Sequence, residues 1–152
     1  MKILVMLISA GLGTLGFNLI FKVSPRHIPA ATLGGIISCA VYVAFDLMGV
    51  NLFVSNFIAM LVAGIVSEIF ARGFRAPAAI FLLPSTIPLV PGGGLYYTMT
   101  TLMSGRYNEC AVYAKSTLLT GLGIAAGMIS ASVICGTLSH ILSERKAKKR
   151  DR

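Results

Sequence analysis

A helix-breaking segment inside an apolar run constrains the fold of this chain more than any other feature. Residues 84–97 read Pro-Ser-Thr-Ile-Pro-Leu-Val-Pro-Gly-Gly-Gly-Leu-Tyr-Tyr and lie within an apolar run at about 80–103. Three prolines and three consecutive glycines should interrupt a helix there. In hydrocarbon, an interrupted helix leaves backbone N–H and C=O groups unpaired at a high cost in free energy. Such a break persists only where it is buried in protein or lines a polar cavity.

The composition of the chain predicts an all-α integral membrane protein. Of its 152 residues, 56% are hydrophobic and 12% are charged, whereas an ordinary soluble domain is about 25% charged. We expect a bundle of about five transmembrane helices within residues 1–142, the fourth broken by Pro and Gly. The predicted spans lie at about 3–21, 30–48, 51–70, 80–103 and 116–142. Residues 104–115 resemble a short interfacial helix or loop, and 143–152 a basic tail.

The distribution of basic residues predicts how the chain is oriented. Six of the thirteen basic residues lie in the last eight positions, and the others flank apolar runs. This arrangement favours contact with anionic lipids over binding to nucleic acid. If 80–103 crosses the membrane, ten basic residues lie inside and three outside; if it is re-entrant, six lie inside and seven outside. The positive-inside rule therefore favours five spans, with the N-terminus outside and the C-terminus in the cytoplasm.

The broken segment is the predicted substrate site, because discontinuous helices often form such sites in transporters. The prolines should free carbonyls near Ile80, Pro84 and Ile87, and the glycines permit close approach by a ligand. A helix beginning at Gly94–Leu95 would offer free N–H groups to a carboxylate. The alternative is a kinked helix that serves packing alone. The candidate substrate-binding residues are Ser85, Thr86, Pro88, Pro91, Gly92, Gly93, Gly94 and Tyr96.

Two acidic residues in the predicted spans are candidate proton carriers, since ionisable groups within a membrane are usually functional. Glu68 ends the third span with Arg72 four residues later, so the alternative is an interfacial ion pair. Asp46 lies near the end of the second span, where an interfacial acid is the alternative. His27 falls in a loop between two prolines and is expected to be solvated.

Small residues at every fourth position give the last span a smooth stripe for close helix packing. The stripe consists of Gly123, Gly127, Ala131 and Cys135. It could serve a helix of the same chain or a partner subunit, including a second copy in a homo-oligomer. An odd number of spans also suggests one half of a transporter, completed by a five-helix unit of opposite orientation.

The sequence carries no arrangement typical of an enzyme or a metal site. His27 and His140 are the only histidines, and neither has a carboxylate or cysteine at ligand spacing. We therefore predict no catalytic residues, no metal and no cofactor.

The segment from Ile87 to Tyr96, followed by Met99, resembles the threonine/serine exporter family, and more narrowly the small subunit of its two-component form. The likeness extends over the whole chain. It includes the basic proline-containing loop after the first span and the basic loop that ends at Ala76-Pro77. The Pro-Leu-Val-Pro-Gly core followed by Leu-Tyr is its most specific part.

The resemblance implies export of threonine or serine from the bacterial cytoplasm across the plasma membrane, by antiport with protons. Some members export four-carbon dicarboxylates such as succinate, which is the first alternative. Because single-chain members have two five-helix halves and a soluble N-terminal domain, the resemblance also implies a larger partner subunit that carries this domain. A second alternative, from the residues alone, is a membrane scaffold that transports nothing.

Overall fold

The computed structural model describes residues 2–150, with side chains over 3–137, and this part of the chain contains helices and no strands. This confirms the predicted all-α class. The elements are α1 (Lys2–Ile20), α2 (Ile28–Leu47), α3 (Leu52–Phe74), α4 (Ala79–Thr86), a 3₁₀ turn (Ile87–Leu89), α5 (Gly92–Met103) and α6 (Tyr107–Arg150).

Among the described residues, four helices are long and apolar enough to cross a membrane, namely α1, α2, α3 and the part of α6 up to Thr137. Ala79–Leu89 and Gly92–Met103 pass the same test together, with a bend of 47° between them. They make a fifth span if the bent pair crosses as one unit. The observed number of four or five apolar helices agrees with the predicted bundle.

The segment predicted as a separate interfacial helix or loop, 104–115, is mostly the start of α6. Only a short turn separates α5 from α6, and Gly105 adopts a left-handed conformation there with φ 71°. The Arg106 N–H donates to the Thr101 carbonyl at 2.9 Å, which closes the end of α5. No proline or glycine then interrupts the chain before Gly121, so one helix continues from Tyr107. The side chains of the predicted tail, 143–152, lie outside the described part.

The glycine stripe of α6 packs against α3, which answers the question left open by the sequence. A Cβ added at Gly123 would lie 2.5 Å from the Phe53 carbonyl oxygen, and one at Gly127 would lie 2.6 Å from that of Phe57. Further along, Gly64 of α3 faces Ala131. The absence of side chains at these glycines lets the two backbones approach each other closely.

Helix α4 is attached to α2 by small residues and buried hydrogen bonds. The Ser38 hydroxyl shares its one proton between the Ser85 carbonyl at 2.7 Å and the Gly35 carbonyl at 2.9 Å. Gly34 faces the Ser85 side chain, where a Cβ would overlap its hydroxyl. These contacts fix the chain immediately before the break against the middle of the bundle.

His27 differs from the sequence expectation of a solvated residue. It occupies the N-cap position of α2 and is partly buried. Its ring lies edge-on to Phe74 at 5.4 Å and to Phe81 at 5.5 Å. The loop is short, so α3 and α4 enclose the histidine between their aromatic side chains.

Candidate functional site

The break lies between Thr86 and Gly92. The 3₁₀ turn Ile87–Leu89 follows α4 directly, Val90 is extended with ψ 125°, and Pro91 precedes α5 as its N-cap residue. Helix α5 begins at Gly92, two residues before the predicted start at Gly94–Leu95. Its first helical hydrogen bond runs from the Leu95 N–H to the Pro91 carbonyl at 3.0 Å, so the proline carbonyl opens the helix.

The break leaves fewer carbonyls unpaired than predicted, because two of them accept hydrogen bonds within turns. The Ile87 N–H donates to the Pro84 carbonyl, and the Val90 N–H donates to the Ile87 carbonyl at 3.3 Å. The prediction of freed carbonyls at Pro84 and Ile87 was therefore wrong. A 3₁₀ turn supplies i+3 donors where the prolines remove i+4 donors.

Two backbone donors remain at the start of α5. The Gly92 N–H donates to the Val90 carbonyl at 2.8 Å, and no side chain caps the helix. The N–H groups of Gly93 and Gly94 have no hydrogen-bond partner among the described residues, as is usual for the first turn of an uncapped helix. The helix dipole adds a partial positive charge at the same place.

The three glycines of the break differ in their surroundings. A Cβ added at Gly92 or Gly93 would meet nothing within 4 Å. One added at Gly94 would overlap the Thr117 hydroxyl of α6. Gly94 therefore serves the contact between α5 and α6, whereas Gly92 and Gly93 leave an open corner at the break.

A cavity of about 180 Å³ adjoins the break. The chain from Pro88 to Pro91 forms one wall, and polar side chains from three other helices face it. Its lining residues are Tyr42 (α2), Asn56 (α3), Pro88, Leu89, Val90, Pro91 and Thr120 (α6). Asn56 is 1% exposed and Thr120 is 7% exposed, so both are deeply buried. This convergence brings hydrogen-bonding groups to the least regular part of the backbone.

Sequence reasoning missed Tyr42, Asn56 and Thr120. The signal for Asn56 was present, since a carboxamide in the first half of an apolar span is costly unless it is paired. Tyr42 and Thr120 carried no such signal, because tyrosine and threonine are common in membrane helices. Only the packing of α2, α3 and α6 brings them to the break.

The predicted binding residues fall into separate groups in the structure. Pro88 and Pro91 line the cavity. Ser85 is fully buried and its hydroxyl donates to the Phe81 carbonyl at 2.7 Å, while the Thr86 hydroxyl donates to the Leu83 carbonyl at 2.7 Å. Tyr96 is 65% exposed on α5 and does not line this cavity.

Neither of the two candidate proton carriers lines the cavity, although Asp46 lies one helical turn from Tyr42, which does. Glu68 accepts a hydrogen bond from Arg72 at 3.1 Å, and Arg72 also contacts the Cys135 carbonyl at 3.4 Å. The ion pair between Glu68 and Arg72, which the sequence analysis gave as the alternative to proton transport, is therefore present. Asp46 is exposed near the end of α2 and forms no ion pair within the described part of the chain.

Two larger grooves are more apolar. One, of about 480 Å³, lies between α5 and α6, where Leu95, Leu118 and Leu122 contribute to its lining. Another, of about 390 Å³, lies between α1 and the break, and its lining includes Val5, Met6, Ile87 and Pro88. Both offer fewer hydrogen-bonding side chains than the smaller cavity. A further groove of about 330 Å³ is polar but is formed only by residues 105–109 at the start of α6. The smaller cavity, where several helices meet the break, is therefore the better site for a polar ligand.

Apolar helices arranged around a broken segment and a polar cavity define a multi-pass membrane protein with the features of a transporter. The family model described as threonine/serine exporter, ThrE, matches residues 6–134. This chain belongs to the threonine/serine exporter family, which is a family of membrane transporters and not of enzymes. No solved structure matches the chain.

Proposed function

We propose that this chain is one subunit of a secondary exporter for threonine and serine, and that the substrate binds at the break. The observation that carries the proposal is the polar cavity between Pro88–Pro91 and the buried side chains of Asn56 and Thr120. In a membrane, such groups are stable when water or a polar ligand satisfies them. The family match supplies the substrate class.

The start of α5 offers a place for the carboxylate of an amino acid. The unpaired N–H groups of Gly93 and Gly94 and the helix dipole favour an anion there. Gly92 and Gly93 leave open space in which the ligand can approach the backbone. The hydroxyls of Ser85 and Thr86 already donate within α4 and do not line the cavity, so in this proposal they position the chain before the break. Tyr96 contributes from the exposed side of α5.

The broken segment crosses the membrane in this proposal, with the N-terminus outside and the C-terminus in the cytoplasm. A bend of 47° supports a crossing, because a re-entrant hairpin requires a much larger change of direction. Reporter fusions at both termini test this orientation. A cytoplasmic N-terminus would contradict it.

A larger subunit with five helices and a soluble N-terminal domain is the proposed partner. The open corner at Gly92 and Gly93 supports it, because an uncapped helix start in hydrocarbon needs a protein or aqueous neighbour. Co-purification of a tagged copy of this chain from its native membrane tests the assembly. Recovery of the chain alone or only as a homo-oligomer would contradict it.

Efflux from loaded cells tests the site. Cells that express both subunits are loaded with a threonine-containing dipeptide or with succinate, and the released metabolite is measured. We expect Gly93→Leu to abolish threonine efflux by filling the open corner. Gly136→Leu is the matched control, since its Cβ also meets nothing within 4 Å, and it lies far along α6. Unchanged efflux in Gly93→Leu would contradict the site.

The succinate measurement separates the two substrate classes. With one carboxylate at the start of α5, the second carboxylate of succinate would lie in the cavity, where none of the lining residues is charged. We therefore expect threonine to be released and succinate to be retained. Release of succinate alone would favour the dicarboxylate alternative, and release of neither would favour the scaffold.

Proton coupling is assigned to Asp46 and Glu68, the acids of the second and third spans. Asp46 is the stronger candidate because the charge of Glu68 is already matched by Arg72. Asp46→Asn should abolish the stimulation of efflux by an imposed pH gradient while exchange without a gradient continues. A full response to the gradient in both Asp46→Asn and Glu68→Gln would exclude these acids.

A further inference from the structure

Thr120 is an exception among the buried hydroxyl groups of this protein. Most of them donate to a carbonyl of their own helix, as Thr14 and Thr101 do at 2.7 Å. Thr117, one turn before Thr120, donates to the Tyr113 carbonyl at 2.8 Å. Thr120 is 7% exposed and lines the cavity, and its hydroxyl has no partner among the described residues. Ser67 also lacks a partner but does not line this cavity.

Asn56 presents a second free group to the same cavity. Its Nδ2 donates to the Leu52 carbonyl at 2.7 Å, which fixes the carboxamide. Its Oδ1 accepts no hydrogen bond from the described residues, and the side chain lines the cavity beside Thr120. Tyr42 adds a third polar group, the hydroxyl of its side chain, from α2. The three groups together can both donate and accept hydrogen bonds, and none of them is charged.

We infer that Asn56 and Thr120, with Tyr42, are specificity-determining residues that bind the side-chain hydroxyl of the transported amino acid. The inference rests on the proposed function. A hydroxyl can donate to the Asn56 Oδ1 while it accepts from the Thr120 hydroxyl, so one group satisfies both. The ammonium and carboxylate groups of the amino acid are held outside this cavity, because its lining has no charge.

This arrangement should select against apolar amino acids of the same shape. Valine has a methyl group where threonine has its hydroxyl, so valine would leave the Asn56 and Thr120 groups buried and unpaired. A site built around hydrogen bonds to a hydroxyl typically rejects the analogue that lacks it by factors of about 100 or more. We therefore expect the transporter to prefer threonine to valine by at least about 100-fold.

The test measures transport of radiolabelled threonine and valine by the complex of this chain with its partner subunit. We expect Thr120→Val and Asn56→Leu each to lower the threonine-to-valine ratio by about tenfold or more. Thr120→Ser keeps the hydroxyl and should keep the ratio. Thr137→Val is the control on the same helix, since the exposed Thr137 hydroxyl donates to the Val133 carbonyl at 2.9 Å and does not line the cavity.

A second measurement separates specificity from folding. Thr120→Val removes an unpaired buried hydroxyl without changing the shape of the side chain, so the variant should be at least as stable as the wild type. A ratio that stays unchanged in both Thr120→Val and Asn56→Leu, with threonine export intact, overturns the inference and leaves the proposed function standing. Absence of threonine export by the wild-type complex overturns both.

Discussion

Glycines at two places in this protein have opposite surroundings. Gly123 and Gly127 of α6 lie so close to the backbone of α3 that an added Cβ would come within 2.5 and 2.6 Å of a carbonyl oxygen. Gly92 and Gly93 at the break have open space around them. The same residue type therefore serves packing in one region and access in the other. The sequence alone does not distinguish the two uses. The atoms that surround each glycine in the fold do.

The two regions also differ in how their polar groups are satisfied. Between α3 and α6, the approach of the backbones excludes other molecules, and small residues fill the contact. At the break, the first-turn donors of α5 and the side chains around the cavity retain free hydrogen-bonding capacity. The first region forms a frame that fixes α6 on α3. The second is the part of the bundle that we propose to bind the ligand.

The largest expected effect comes from filling the tight region. Gly127→Leu should prevent α6 from packing on α3 and abolish accumulation of folded protein in the membrane. Gly127→Ala should lower the free energy of unfolding by about 1–3 kcal/mol, because its Cβ would collide with a carbonyl and not with a flexible side chain. Unfolding in mixed micelles containing SDS measures the change. Wild-type stability in Gly127→Ala would contradict the close contact.

A glycine substitution at the break should have the opposite effect: it should leave stability unchanged and reduce transport. Gly93→Ala places a methyl group in open space, so stability should match the wild type. Alanine keeps the backbone N–H, but its methyl group occupies the space through which the ligand approaches this donor. Threonine efflux should therefore fall by about tenfold, the size of effect expected when one hydrogen bond is lost. Gly136→Ala, also in open space, should change neither property. A loss of stability in Gly93→Ala would remove the contrast between the two regions.

A smaller effect is expected where the break is attached to the bundle. Ser38→Ala removes buried hydrogen bonds to the Ser85 and Gly35 carbonyls and should lower the free energy of unfolding by about 0.6–2 kcal/mol. Ser132→Ala is the control, since that exposed hydroxyl bonds only within α6 at 2.9 Å. Equal stability of the two variants would show that Ser38 does not hold α4.

The smallest effect concerns the ion pair at the end of α3. Glu68 and Arg72 have side chains that are 28% and 43% exposed, so the pair is only partly buried. Glu68→Gln should change the free energy of unfolding by less than about 1 kcal/mol. Denaturation at low and high salt measures this contribution. A larger loss would mean that the pair is part of the tight region between α3 and α6.

Much of the fold follows from patterns that are local in sequence. The apolar runs predicted the helices, Pro84 to Gly94 predicted the break, and the spacing of Glu68 and Arg72 allowed their pairing. These features depend on residues a few positions apart. The early start of α5 at Gly92 was not predicted, because the glycines were read as breakers although the Pro91 carbonyl begins a helix through them.

The candidate site was less accessible to sequence reasoning because it depends on contacts between distant helices. Asn56 and Thr120 are separated by more than sixty residues and meet only because α6 packs on α3. The enclosure of His27 by Phe74 and Phe81 has the same origin. A pattern on one helix predicts which face is buried and does not specify which residue lies opposite.

The contact of Gly123 and Gly127 with α3 also locks the register of α6. A slip of one helical turn, about 5.4 Å, would bring a different residue to each carbonyl. In one direction Ala131 would replace Gly127 at Phe57, and in the other Leu119 would replace Gly123 at Phe53. Either side chain would collide with a backbone oxygen that only glycine can approach. Sliding of α6 along α3 is thereby excluded, and any motion that opens the cavity alternately to the two sides of the membrane has to come from the elements around this pair.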